Sequence, residues 1–173
     1  MDFRAQSFLR AMPETGCVPL IYPNHLRHGT LQWPQPQSKK PNALLQSEET
    51  NELLVPNEYY VLVKRFSAKE EQRRVVAMVY DPTGFPFSSV GFENHLNYFH
   101  ANGKGLDAPL SYGLAAYLNS TVVDSYIRQF NGHTQINATD LRNLRYPSKE
   151  QLIAIGRRIH RELLDVYKRQ MLE

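Results

Sequence analysis

Five cations crowd one stretch of the chain: Lys64 and Arg65 close a first apolar run, Lys69 follows, and Arg73 with Arg74 open a second run. Ammonium and guanidinium groups confined to one end of a hairpin can straddle a phosphate backbone or enter a groove, whatever the exact register. Glu70 and Glu71 share the same loop, and pairing with them would turn the cluster into an ordinary solvated surface. A second polar group, Thr134, Gln135 and Asn137, lies in the run NGHTQIN. Amide side chains suit the paired donor and acceptor that adenine presents in the major groove.

Other residue types that do chemistry are sparse. His95 and His100, with Glu93, Asn94 and Asn97 around them, form the densest metal-competent group. A small metal-dependent nuclease would want such a cluster. The spacing of five puts the imidazoles on opposite faces of a strand, however, and no second cluster follows at ligand spacing. Gly103-Lys104-Gly105 follows an Asn-rich segment and precedes Asp107-Ala108-Pro109, so it reads as a loop and not as a strand-to-helix cradle for a nucleotide or adenosyl-methionine. No Ser/His/Asp or Cys/His arrangement stands out. No catalytic residue, no metal ligand and no cofactor are therefore assigned within the chain.

The elements that must position these residues follow from pattern. YYVLVKRF and RRVVAMVY, separated by SAKEEQ, are β-branched and aromatic runs that predict a hairpin with both faces apolar, lying inside a sheet. DPTGFP at 81–86 predicts the turn that leaves it, and a third strand is expected through Val90 to Tyr98. Five prolines between 18 and 41 predict an extended, loop-rich stretch without an inner strand, with Leu20, Ile21, Tyr22, Leu31 and Trp33 lying against a core. Residues 42–54 are polar and read as a flexible surface loop. Leu114, Leu118, Tyr126 and Phe130 recur at multiples of four, with Thr121 and Asp124 spaced as a capping box, which predicts one long helix or two joined near Asn119. Asn131-Gly132 is expected to stop it, and TQIN to form a short strand. Ser148 is the expected N-cap of a helix with Leu152, Ile155, Ile159, Leu163 and Val166 on one stripe.

With 173 residues, 42% hydrophobic and 21% charged, the chain has material for one folded domain, or one plus an appendage. Nine glycines and eleven prolines exclude collagen-like and disordered classes. No run approaches the ~20 apolar residues of a membrane span, and the start shows no export signal. A cytoplasmic protein is expected, with the lone Cys17 as a small buried hydrophobe. The net charge of +3 decides little. Distribution decides more: from Arg142 to Arg169 eight basic residues face three acids, a surplus of five. Leu172-Glu173 carries no meaning that the pattern reveals.

One combination of residues is recognisable. The run LNSTVVDSYIRQFNGHTQINATDLRNLRYPSKEQLIAIGRRI, Leu118 to Ile159, resembles the closing motif of target-recognition domains in restriction-modification systems: Leu-Asn-Ser in a helix, a Gly-x-Thr turn, a short Asp-Leu segment, then a proline and a Glu-Gln helix start. Specificity subunits of type I systems and the C-terminal domains of TaqI-like adenine methyltransferases share it. Tyr59 to Pro82 is similar to the matching stretch of fused restriction and adenine-N6 methylases. The resemblance implies a module that binds double-stranded DNA and selects the sequence to be modified, while a separate catalytic methyltransferase domain or subunit binds S-adenosyl-methionine and flips the adenine out. It implies magnesium only for a nuclease fused to that parent enzyme. The Asn-Pro-Pro-Tyr-type motif is missing here, so catalysis is carried over to no residue.

The fold expected is α+β: a twisted, mainly antiparallel sheet with a long hairpin, flanked by the Leu114 and Leu152 helices. Residues 1–16 are read as an N-terminal extension, 17–147 as the target-recognition domain and 148–173 as an amphipathic basic helix packing on it or on a partner. The DNA-binding residues expected are Lys64, Arg65, Lys69, Arg73, Arg74, Thr134, Gln135 and Asn137. The rival expectations are the nuclease built on His95 and His100, and a protein-interaction module whose basic helix docks on an acidic partner.

Overall fold

Alternation of side chains along a strand gives the central hairpin two apolar faces, and each face meets a different partner. The computed structural model describes residues 3–27, 29–68, 70–130 and 132–170, with the side chains of those between 5 and 163. In chain order the strands are β1 (Leu9–Arg10), β2 (Cys17–Ile21), β3 (Leu26–Arg27), β4 (Thr30–Leu31), β5 (Ala43–Leu45), β6 (Leu54–Pro56), β7 (Tyr60–Lys64), β8 (Ala77–Tyr80), β9 (Ser89–Phe92) and β10 (Leu96–Phe99). The helices are α1 (Ala108–Leu118), α2 (Thr121–Phe130), α3 (Ala138–Arg142) and α4 (Lys149–Gln170).

The fold is α+β with mainly antiparallel pairing. One sheet has the order β10-β7-β8 and a second the order β1-β5-β2-β9-β6, whose β2–β9 pair alone is parallel; β3 and β4 form a small hairpin. The expected hairpin is β7–β8, with Tyr60 opposite Tyr80 and Val63 opposite Ala77. Val61, Val63 and Ala77 join Leu114, Leu118, Val123, Ile127, Ile136 and Leu152 in one core. Tyr60, Leu62, Met78 and Tyr80 join Ile21, Leu26 and Val90 in another on the opposite face. β7 is central as expected, whereas β8 is an outer strand.

Several expectations are corrected. Val90 to Tyr98 is not one strand: Glu93 accepts from the His95 N–H at 3.0 Å, and the resulting turn sends β9 into the large sheet and β10 onto β7. Pro19 does lie in an inner strand. β2 pairs with β5 through Cys17–Pro19 and with β9 through Leu20–Ile21, so the proline falls where the ladder changes partner. Residues 42–54 are not a surface loop, because Ala43 and Leu44 are fully buried in β5 and Thr50 donates to the Leu45 carbonyl at 3.0 Å. The segment read as an extension supplies β1, and Ala5 is buried beside it. Cys17 is buried.

Two helices meet at Asn119-Ser120, the second of the two forms expected. Their buried stripe differs: α2 buries Val123 and Ile127 while Tyr126 and Phe130 stay exposed. Its N-terminus is held by the Ser120 hydroxyl, which accepts from the Val123 N–H at 3.3 Å, and not by Thr121. Ser148 and Gln151 do form a reciprocal capping pair at the start of α4. α4 packs on α1 through Gly113 and Gly156, where an added Cβ would come within 1.8 Å of the Leu152 carbonyl and 1.6 Å of the Pro109 carbonyl. Of the expected stripe, Leu152 is buried but Ile155 and Leu163 are exposed. The Val166 side chain lies outside those described. No helix among the described residues is long and apolar enough to cross a membrane.

Candidate nucleic-acid interface

The charged end of β7 and the TQIN segment, seventy residues apart in the chain, are brought together. β10 leaves β7 where the Arg65 N–H donates to the His95 carbonyl at 2.9 Å, and residues 134–136 take over the same edge. Ser67 N–H donates to the Thr134 carbonyl at 2.9 Å and Ile136 N–H to the Arg65 carbonyl at 2.7 Å, which makes Phe66 and Gln135 directly opposed. The TQIN strand is thus a single antiparallel bridge, anchored by fully buried Ile136 and by Asn97 Nδ2, which donates to the Ile136 carbonyl at 2.8 Å.

Arg74 holds this junction from inside. It is 1% exposed, its Nε donates to the Ser67 hydroxyl at 3.1 Å, and its terminal nitrogen donates to the His133 carbonyl. Expected as a DNA contact, it is instead an internal strut between the hairpin loop and the segment carrying Thr134. Inside, the Ser67 hydroxyl and the His133 carbonyl take up the guanidinium, and Asp124 Oδ1 accepts from the Arg74 backbone N–H at 2.6 Å. Burial pushes the Asp124 carboxyl up, but the bonds from Arg128 and Arg74 and the charge of Arg73 outweigh it and hold the group below its ordinary range. Arg128 also donates to the Glu71 and Gln72 carbonyls at 2.8 and 3.3 Å, strapping the loop to α2.

The other expected residues remain at the surface. Arg73, Thr134 and Asn137 are exposed, and Lys64, Arg65 and Gln135 are half-buried. Lys69 lies outside the described residues. Arg65 donates to the Asn94 carbonyl at 3.3 Å. Among the described residues, no carboxylate forms an ion pair with Lys64, Arg65 or Arg73; Glu71 instead accepts from the Ala68 N–H at 2.9 Å. Asn137 is the N-cap of α3, where Asp140 accepts from its N–H at 2.7 Å.

Sequence reasoning missed three features of the surface. Phe66 is 43% exposed, with its ring centroid 5.1 Å from that of His95. A groove of about 540 Å³ runs between β10 and α3, lined by Asn97, Phe99, His100, Arg142 and Tyr146 among others. A second groove, of about 610 Å³, carries Arg27, Lys39 and Lys40 on the proline-rich stretch. The adjacent lysines were the only signal for it in the sequence. Lys40 lies over the Tyr22 ring, 5.9 Å from its centroid, and burial with the nearby Glu93 charge pushes the Tyr22 hydroxyl up to about 12.

His95 and His100 flank β10 at its two ends, ~16 Å of strand apart. His95 Nδ1 contacts the Glu93 carboxylate at 2.7 Å, and His100 Nδ1 accepts from the Gly103 N–H at 2.9 Å. Among the described residues no group of three or more His, Cys, Asp or Glu converges as a metal site. The nuclease expectation therefore loses its cluster. Gly103, at φ 81°, sits in a tight turn closed by Ala101 and Lys104, and Gly105 presses against Glu58 and Tyr59. These glycines serve the backbone and do not fit a cofactor cradle.

The chain is 53% identical over 159 residues to the Type II methyltransferase M.PstI of Providencia stuartii. It is 52% identical over 157 residues to the Type II methyltransferase M.BsuBI of Bacillus subtilis. These matches take in 92% and 91% of this chain but 31% of each relative, so the chain spans about a third of the length of the curated relatives it matches. No family model matches the chain, and no solved structure matches it.

Proposed function

We propose that the chain is the DNA target-recognition part of a restriction-modification adenine-N6 methyltransferase. The observation that carries this reading is the junction at Phe66 and Gln135, where cations and amide side chains from two distant segments share one margin. The likeness to two Type II methyltransferases supports it, and so does the absence of an ion pair on Lys64, Arg65 and Arg73 among the described residues.

In mechanism, Lys64, Arg65, Arg73 and Lys69 grip phosphates or reach a guanine edge, each cation displacing condensed counterions. Thr134, Gln135 and Asn137 lie toward base edges. Arg74 and Asn97 are positioning residues that hold the second segment against the first. The methyl transfer itself, with S-adenosyl-methionine supplying the methyl group, belongs to the part of the enzyme that this chain does not span. The exposed Ile155 and Leu163 on α4 form the face that packs on that catalytic part.

A mobility shift tests the reading: the chain is titrated into a 30-base-pair duplex pool and into a polyglutamate of matched charge. Retardation of the duplex with no polyglutamate complex is expected. Equal binding to both polymers contradicts it and favours a docking module for acidic partners.

A further inference from the structure

We infer that Phe66 and Gln135 act as one reading element for an A·T base pair in the major groove, with the Phe66 ring on the thymine 5-methyl group and the Gln135 amide on adenine. This rests on the proposed DNA-recognition function and names the pair within that site that sets specificity.

The hydrogen bonds that flank the two residues fix their relation. The Ser67 and Ile136 N–H groups reach the Thr134 and Arg65 carbonyls, so Phe66 and Gln135 are themselves a non-hydrogen-bonded antiparallel pair. In such a pair the Cα atoms stand about 4.5 Å apart and the side chains leave the same face at their closest approach. The Phe66 and Gln135 side chains therefore leave one face of a two-stranded element, the ring exposed and the glutamine half-buried. The major groove admits a ribbon of this width.

Each side chain matches one half of the base pair. The adenine edge offers an acceptor beside a donor, which a glutamine amide meets with its own donor and acceptor, and the thymine edge offers a methyl group. A phenylalanine exposed to 43% is costly in water, and this one is held in place by His95 behind it at a centroid distance of 5.1 Å. Arg74, buried beneath Ser67 and His133, fixes the spacing of the two strands.

The test is selection from a random 30-base-pair duplex pool, followed by affinity measurements in which the selected thymines are replaced one at a time by uracil, which lacks the 5-methyl group. The wild-type chain, Phe66→Ala, Phe66→Leu and Gln135→Ala are compared, with circular dichroism to verify each fold. The wild type should select a motif with a fixed A·T position and lose roughly fourfold in affinity on uracil exchange there, the worth of one buried methyl group. Phe66→Ala should become indifferent to the exchange, Phe66→Leu should stay sensitive, and Gln135→Ala should accept other bases in place of adenine. A motif without a fixed A·T pair overturns the inference, as does a uracil penalty that persists in folded Phe66→Ala; both leave DNA recognition standing. Failure of the wild type to bind any duplex overturns the proposed function itself.

Discussion

The side chain of Asn119 completes both backbone hydrogen bonds of Ala77: Oδ1 accepts from its N–H at 3.0 Å and Nδ2 donates to its carbonyl at 2.8 Å. Ala77 begins the outer strand β8, so the amide stands where the next strand of a sheet would be and ties the α1–α2 junction to the hairpin. Asn119→Ala leaves two backbone groups without these partners and should cost about 2 kcal/mol. Urea denaturation measures this, and an unchanged midpoint contradicts the role.

Arg73 and Arg74 are adjacent but should behave oppositely. Arg74→Met removes a buried guanidinium that bonds Ser67 and His133 and should destabilise the chain by about 3 kcal/mol. Arg73→Gln should leave the denaturation midpoint unchanged and reduce the salt dependence of duplex binding by about one unit of slope. Equal loss of stability in both variants contradicts the division.

Acid should weaken the fold through His25. This fully buried imidazole accepts the Tyr22 N–H on Nδ1 at 2.9 Å, so the proton sits on Nε2, 3.0 Å from Asn42 Oδ1. Burial holds its pKa below the ordinary 6.5, against the opposing pull of the Asn42 bond. The unfolded chain binds the proton at higher pH than the folded one. The contribution is therefore complete above pH 6.5 and is lost as pH falls below it. Denaturation midpoints between pH 7.5 and about 5 should decline in the wild type and flatten in His25→Gln; parallel profiles contradict the assignment.

Close contact of α1 with α4 predicts that Gly113→Ala cannot be absorbed by a rotamer change, because the obstacle is the Leu152 backbone at 1.8 Å. A loss of about 3 kcal/mol is expected, with faster amide exchange along α4. Protection unchanged in α4 would show that the helices do not depend on this approach.

How much of this was legible in the sequence depends on where the determining contacts lie. The β7–β8 hairpin and the Ser148 cap are local, and their residue types announce them. The split between β9 and β10 was not legible, because the Glu93 bond to His95 creates a turn inside an apolar run. Nor was the burial of Asn42, whose side chain accepts from Gln35 and donates to the Ala11 carbonyl across thirty-one residues; such a polar hub reads as loop until its partners are known. The cations of the site were legible as a cluster. That Arg74 points inward was not, since the His133 carbonyl that accepts from its guanidinium lies fifty-nine residues away. Phe66 reads as strand material in the run YYVLVKRF, because exposure cannot be read from a hydrophobic residue type.

The most direct measurement is the salt dependence of duplex affinity for the wild-type chain and for the combined Lys64→Gln, Arg65→Gln, Arg73→Gln variant. With each neutralised phosphate contributing a slope of roughly −0.9 in log affinity against log salt, the variant's slope should be shallower by roughly three units while its denaturation midpoint stays unchanged. Wild-type affinity indifferent to salt, or a folded variant that keeps the wild-type slope, would contradict the account.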